Sequence, residues 1–177
     1  MKQNDFIFKA LTVIAWVIFV ALCIEACALL VNFIYSLYNP AVLKNLYQKL
    51  DLSEMYNRST AAYYSIYTFI LVIAFLKAGL FYDVIKLVSK LDLNRPFSSF
   101  VSKQISSISY TTFAIGLISI VARQTANNLS HKGYDVNILN TFWVDSQAYI
   151  LMAGVIYAIA TIFKRGIEIQ NENDSTI

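Results

Sequence analysis

The sequence has little charge. Asp, Glu, Lys and Arg make up 14% of its 177 residues, hydrophobic residues make up 58%, and the mean hydropathy is +0.55. Roughly a quarter of the residues in an ordinary soluble domain are charged, so a water-soluble globule is excluded. Histidine occurs once, as His131, and cysteine twice, as Cys23 and Cys27. That leaves no imidazole ligand set, and no intramembrane histidine for a rhomboid-type serine protease. The two cysteines are four apart and share a helix face, while Glu25 between them points about 200° away. The three cannot converge on one metal ion, and cysteines so placed are poorly oriented for a disulfide. They read as small, polarizable residues at a helix contact. HExxH, GxSxG, phosphate-loop and CxxC patterns are missing, and no apolar run holds the paired carboxylates of an aspartyl protease. No enzyme, metal or cofactor is expected.

Long apolar runs take the place of that chemistry. Four stand out, at about 6–37, 61–88, 105–126 and 142–163. Each is long enough for a helix to cross a hydrocarbon layer of about 30 Å at about 1.5 Å per residue. The first is too long for the apolar part of a signal peptide and reads as an uncleaved span. The expected fold is therefore an all-α four-helix transmembrane bundle over 1–166, followed by an acidic tail at 167–177. Basic residues favour one side, eight against five, with Lys77 inside a span. By the positive-inside rule both termini are expected in the cytoplasm. Tyr35, Tyr38, Tyr63, Tyr64, Tyr67, Phe142 and Trp143 fit an outer interfacial belt.

The connections carry their own patterns. Asn39-Pro40 is a turn signal, and apolar residues at 43, 46, 47 and 50 predict a short amphipathic surface helix over about 41–50. Residues 127–141 are polar and read as a loop. In the inner connection, SKLDLNRPFSSFVSKQI, Asp92 or Asn94 could cap a helix with Pro96 in its first turn, and Ser98 and Ser99 are alternative caps. The third helix is thus expected to begin in the interface. The tail, IEIQNENDSTI, is expected to fray unless a partner holds it.

Charged residues within the spans are the candidate sites. Counted from Phe8, Glu25 lies roughly 25 Å up the first helix; counted from Ile105, Arg123 lies roughly 27 Å up the third. A lone charge at the bilayer centre costs about 2.5–3.5 kcal/mol on insertion scales, which pairing would offset. An outer polar pocket of Glu25, Arg123, Asn32 and Asp145 follows, against the plainer reading that Arg123 snorkels and Glu25 is protonated. Counted from Ala61, Lys77 lies roughly 24 Å down, near the inner face. There it would join Tyr82, Asp83 and Tyr110 in an inner polar cluster. The hydroxyls at 106, 109, 111 and 112 fit helix–helix contact as well as a polar path. Ala26, Gly79, Gly116 and Gly154 are candidate close-contact residues.

Two segments carry a family resemblance. LDLNRPFSSFVSKQISSIS supplies a Pro-Phe-Ser step at Pro96, Phe97 and Ser98. IFKRGIEIQNENDSTI supplies a basic-glycine turn at Lys164, Arg165 and Gly166, then Glu168, Glu172 and Asp174, closing on Thr176 and Ile177. The chain resembles the bacterial membrane family catalogued as "domain of unknown function 2975", although Ser175 stands where a leucine is expected. The resemblance implies a four-helix bacterial inner-membrane protein without an established enzymatic activity, often encoded beside a small helix-turn-helix regulator. It points to a sensor or anchor that holds such a transcription regulator without touching nucleic acid itself. Pro96, Phe97, Ser98, Glu168, Glu172 and Asp174 would be its contact surface. The alternative is a small-molecule permease or channel subunit, working as a homo-oligomer with Glu25, Arg123 and Lys77 along its path. A eukaryotic tetraspan junction protein ranks last, since the outer connections lack cysteine pairs.

Overall fold

A computed structural model describes residues 2–39, 43, 46, 50–91 and 97–174, with side chains from 6 to 172. Its helices are α1 (Lys2–Tyr38), α2 (Ser53–Arg58), α3 (Thr60–Lys90), α4 (Ser99–His131) and α5 (Ser146–Asp174), with a 3-10 helix at Asn137–Phe142. Among the described residues no strand forms. Four helices are long and apolar enough to cross a membrane, so the chain has the four-helix, multi-pass membrane character expected of it.

The long helices pack in chain order: α1 on α3, α3 on α4, and α4 most extensively on α5. α1 is apolar around its whole circumference and leaves Val13, Val17 and Ile24 more than half exposed. Such a face belongs in lipid. Its inner stripe is narrow: Ala26 and Leu29 are buried against α3. Near the C-terminal end of α1, outer in the orientation expected from the basic residues, Phe33 stacks on Tyr67 at 5.1 Å, the Tyr63 hydroxyl meets Ser36 Oγ at 2.7 Å, and the Tyr67 hydroxyl donates to the Leu29 carbonyl at 3.0 Å. Tyr63, Tyr67 and Trp143 are therefore core residues, fully buried or nearly so, and not members of a lipid-facing belt. For the two tyrosines the polar tips explain the difference, because a buried hydroxyl that finds a partner no longer needs the headgroup layer; Trp143 is held by the leucines of the outer connections.

The first outer connection is a lid. Leu43, Leu46, Leu50, Leu52 and Met55 are all buried and join Val136, Leu139 and Trp143 in the main core. A short helix is present there at Ser53–Arg58, while most of the stretch 41–50, where the sequence predicts a surface helix, lies outside the described residues. Of the expected stretch the described residues are Leu43, Leu46 and Leu50, and Leu46 bridges Leu50 as a strand-like pair. Asp51 sets the helix start, its carboxylate accepting from Ser53 N at 2.9 Å and from Ser53 Oγ at 2.6 Å.

Arg58 ties this lid to the second outer connection. Its guanidinium donates to the carbonyls of Lys132 at 2.7 Å and Gly133 at 2.8 Å, and lies 4.3 Å from the Tyr134 ring centre. Gly133 sits at φ 81°, a left-handed conformation that glycine adopts without strain. Arg58→Lys is expected to lose most of this clamp, because a single ammonium cannot fork across two carbonyls. The expected loss is about 1–2 kcal/mol, read by thermal unfolding in detergent. An unchanged transition would mean that the two outer connections are held together by their leucines alone.

At the inner end Ser98, one of the alternative caps, is the one used for α4, its Oγ accepting from Val101 N at 3.3 Å; Asp92, Asn94 and Pro96 lie outside the described residues. The acidic tail differs from expectation: α5 continues as helix to Asp174. Phe97 accounts for part of this, packing on Phe163 at 5.3 Å and closing over Gly166.

Candidate functional site

Ring contacts set the register between α1 and α3. Phe19 meets Tyr82, and Phe33 meets Tyr67. Glu25 lies six residues above Phe19 and Lys77 five residues back from Tyr82, so these two charges share one depth. Asp83 meets Ser107 across the α3–α4 seam, in the same layer as Tyr82. Arg123, sixteen residues above Ser107, stands roughly 24 Å over that layer, whereas Glu25 stands only roughly 9 Å over it. The structure does not bring Glu25 to Arg123; it brings Glu25 level with Lys77. The physical reason is length. The helices run 29–37 residues, while roughly 20 suffice to cross hydrocarbon, so a depth counted from one apolar end carries an error of many residues. Glu25 and Lys77 are both half-buried. The ion pairs among the described residues are Arg58–Glu54, Lys86–Asp83 and Arg165–Glu168.

The outer pocket therefore has different walls from those expected. Arg123 lines an open groove of about 330 Å³ with Asn127, Asn140, Trp143 and Val144. Asn32 is half-buried on α1 and Asp145 is exposed just before α5; neither lines it. The Trp143 indole N–H is buried without an acceptor among the described residues.

The inner polar cluster resolves into two separate groups. Asp83 is the hub of one. Its carboxylate accepts from Gln104 Nε2 at 2.9 Å and from Ser107 Oγ at 3.0 Å, and Lys86 Nζ lies 3.9 Å away. Lys86 also stands 4.2 Å from the centre of the Tyr82 ring. Tyr110 belongs to the other group, meeting Tyr157 of α5 at 6.3 Å. Lys77 is in neither. Gln104 and Ser107 are the residues that sequence reasoning missed. A signal for them exists: in a short antiparallel hairpin, residues equidistant from the turn face each other, and Asp83 and Ser107 each lie twelve residues from Arg95. Of the other hydroxyls, Ser109 Oγ serves helix contact by donating to the Ala153 carbonyl of α5 at 2.9 Å, while Thr112 Oγ1 turns back to the Ile108 carbonyl of its own helix at 2.7 Å.

Glycine contacts divide in the same way. Gly116 sits against Ile150 and Gly166 against Phe97, while Gly79 and Gly154 have nothing nearby. Gly79 and Gly154 are thus not contact residues.

Of the expected partner surface, Phe97 is exposed and Ser98 half-exposed; Glu168 and Glu172 are exposed on α5. Pro96 and the side chain of Asp174 lie outside the described residues. Glu168 is held by Arg165 at 3.3 Å. Ile169 is 58% exposed beside it, an apolar side chain on a helix that has left the apolar span. Among the described residues no group of His, Cys, Asp and Glu could hold a metal ion.

No curated protein and no solved structure matches the chain. Residues 45–177 match the family described as "Protein of unknown function (DUF2975)". That match begins inside the outer lid and runs through the Asp83 hub, the Phe97–Gly166 lock and the tail, so on most of its length the chain belongs to the DUF2975 family.

Proposed function

We propose that this chain acts without catalysis, as a sensor or anchor of the bacterial inner membrane that holds a small cytoplasmic helix-turn-helix regulator. The observation that carries this reading is the inner end of α5. Eleven residues continue as helix past Phe163 to Asp174, roughly 16 Å at the rise of an α-helix. A polar end with no partner would fray; this one is braced by Phe97 and offers Glu168, Ile169 and Glu172 on an ordered helix. An apolar residue ringed by carboxylates suits a basic, partly apolar partner surface, and the phosphate-binding face of a DNA-binding protein is cationic.

The test is co-purification from the native membrane, comparing the full chain with one truncated after Gly166. A small DNA-binding protein recovered with the full chain and lost on truncation is the expected result. A full chain that brings down only lipid or a small molecule would overturn the reading in favour of a permease or channel subunit.

A further inference from the structure

We propose that the groove between the inner ends of α4 and α5 holds the headgroup of an anionic phospholipid. The groove has a volume of about 600 Å³. Ser99, Ser102, Lys103, Ser106 and Tyr110 line it from one face of α4, and Lys164 faces them from α5. The α4 residues recur at three- and four-residue spacing, so their side chains form a single stripe.

Three features fit an amphiphile better than a free ion. First, two cations come from two different helices, and neither is held by a carboxylate among the described residues. Glu168 also reaches the groove, but Arg165 counters it at 3.3 Å. Second, the stripe is graded. Ser99 is at the helix end and Tyr110 eleven residues further in, roughly 16 Å along the axis. The cations and serine hydroxyls thus lie where phosphates sit, and Tyr110 lies where an acyl chain would begin. Third, Tyr110 and Tyr157 form an exposed aromatic pair at that deeper end, 61% and 52% exposed, a surface for the upper part of a lipid tail. Basic pockets between transmembrane helices are a known way to bind anionic headgroups. The site stands on α4 and α5 alone and needs no protein partner.

The experiment uses the full chain in neutral detergent, exposed in turn to phosphatidylglycerol, phosphatidylcholine and inorganic phosphate. Retained lipid is read by native mass spectrometry and thermal stability is followed in parallel. Phosphatidylglycerol is expected to be retained over phosphatidylcholine by a factor on the order of thirty, the contribution of two lysines near an anionic surface. In the K103Q/K164Q chain that preference should vanish, while its melting temperature in phosphatidylcholine stays at the wild-type value and shows it folded. Equal retention of the two lipids would overturn the proposal, as would a K103Q/K164Q chain that still prefers phosphatidylglycerol. Inorganic phosphate at millimolar concentration that displaces the lipid and stabilises equally well would overturn it in favour of a free-phosphate site.

Discussion

A Gly116→Val chain is expected to melt well below the wild type, with a loss of about 1–3 kcal/mol from overpacking. A Cβ at position 116 would stand 2.7 Å from Ile150 Cδ1, 2.9 Å from Cγ1 and 3.0 Å from the Ile150 backbone nitrogen. A rotamer change of Ile150 can relieve the first two approaches. The third can be relieved only by moving α5 away from α4, and that seam is the most extensive in the molecule. Gly79→Ala is the matched control. It has nothing within 4 Å, so removing the glycine should leave stability unchanged or raise it by up to about 1 kcal/mol through helix propensity. Thermal unfolding of both chains in one detergent checks the pair. An unchanged transition for Gly116→Val would mean that α4 and α5 stand further apart than described.

Asp83→Ala should also weaken the protein, by about 1–3 kcal/mol. Side-chain hydrogen bonds between membrane helices average about 0.6 kcal/mol and reach about 1.7, and this substitution removes the acceptor for two donors at once. The carboxylate is only 18% exposed, so Gln104 and Ser107 would be left to find new partners in a poorly hydrated seam. Asp83→Asn keeps an acceptor for one of them and should lose less. A double-mutant cycle of Asp83→Ala with Ser107→Ala isolates the pair, and strictly additive losses would sink the assignment.

The two seams also show what could be read from the residues alone. The number of spans was legible, because long apolar runs need no partner to declare themselves. The start of α4 was legible only as a choice among Asp92, Asn94, Ser98 and Ser99, since each is a local cap signal and packing decides between them. Relative depth was not. It depends on which side chains interlock, and the Phe19–Tyr82 and Asp83–Ser107 contacts set Glu25 level with Lys77 and well below Arg123. The Arg58 clamp was hidden for a different reason: its partners are backbone carbonyls more than seventy residues away, and carbonyls leave no trace in a side-chain pattern. The helical tail was hidden because its brace, Phe97, sits across the inner connection.

Packing strictly in chain order has a bearing on how the protein is made. Each long helix after the first packs on the span synthesised just before it. A helix leaving the ribosome therefore meets a membrane that already contains one of its partners, although α4 completes its most extensive seam only when α5 arrives. Contacts between sequential neighbours also keep loop closure short, the condition under which chains assemble fast. α1 carries the reverse side of this arrangement: its principal contact is with α3, which is made after it, so until α3 follows it must stay inserted on its own hydrophobicity. Its exposed apolar side chains, Val13, Val17 and Ile24 among them, serve that interval of synthesis.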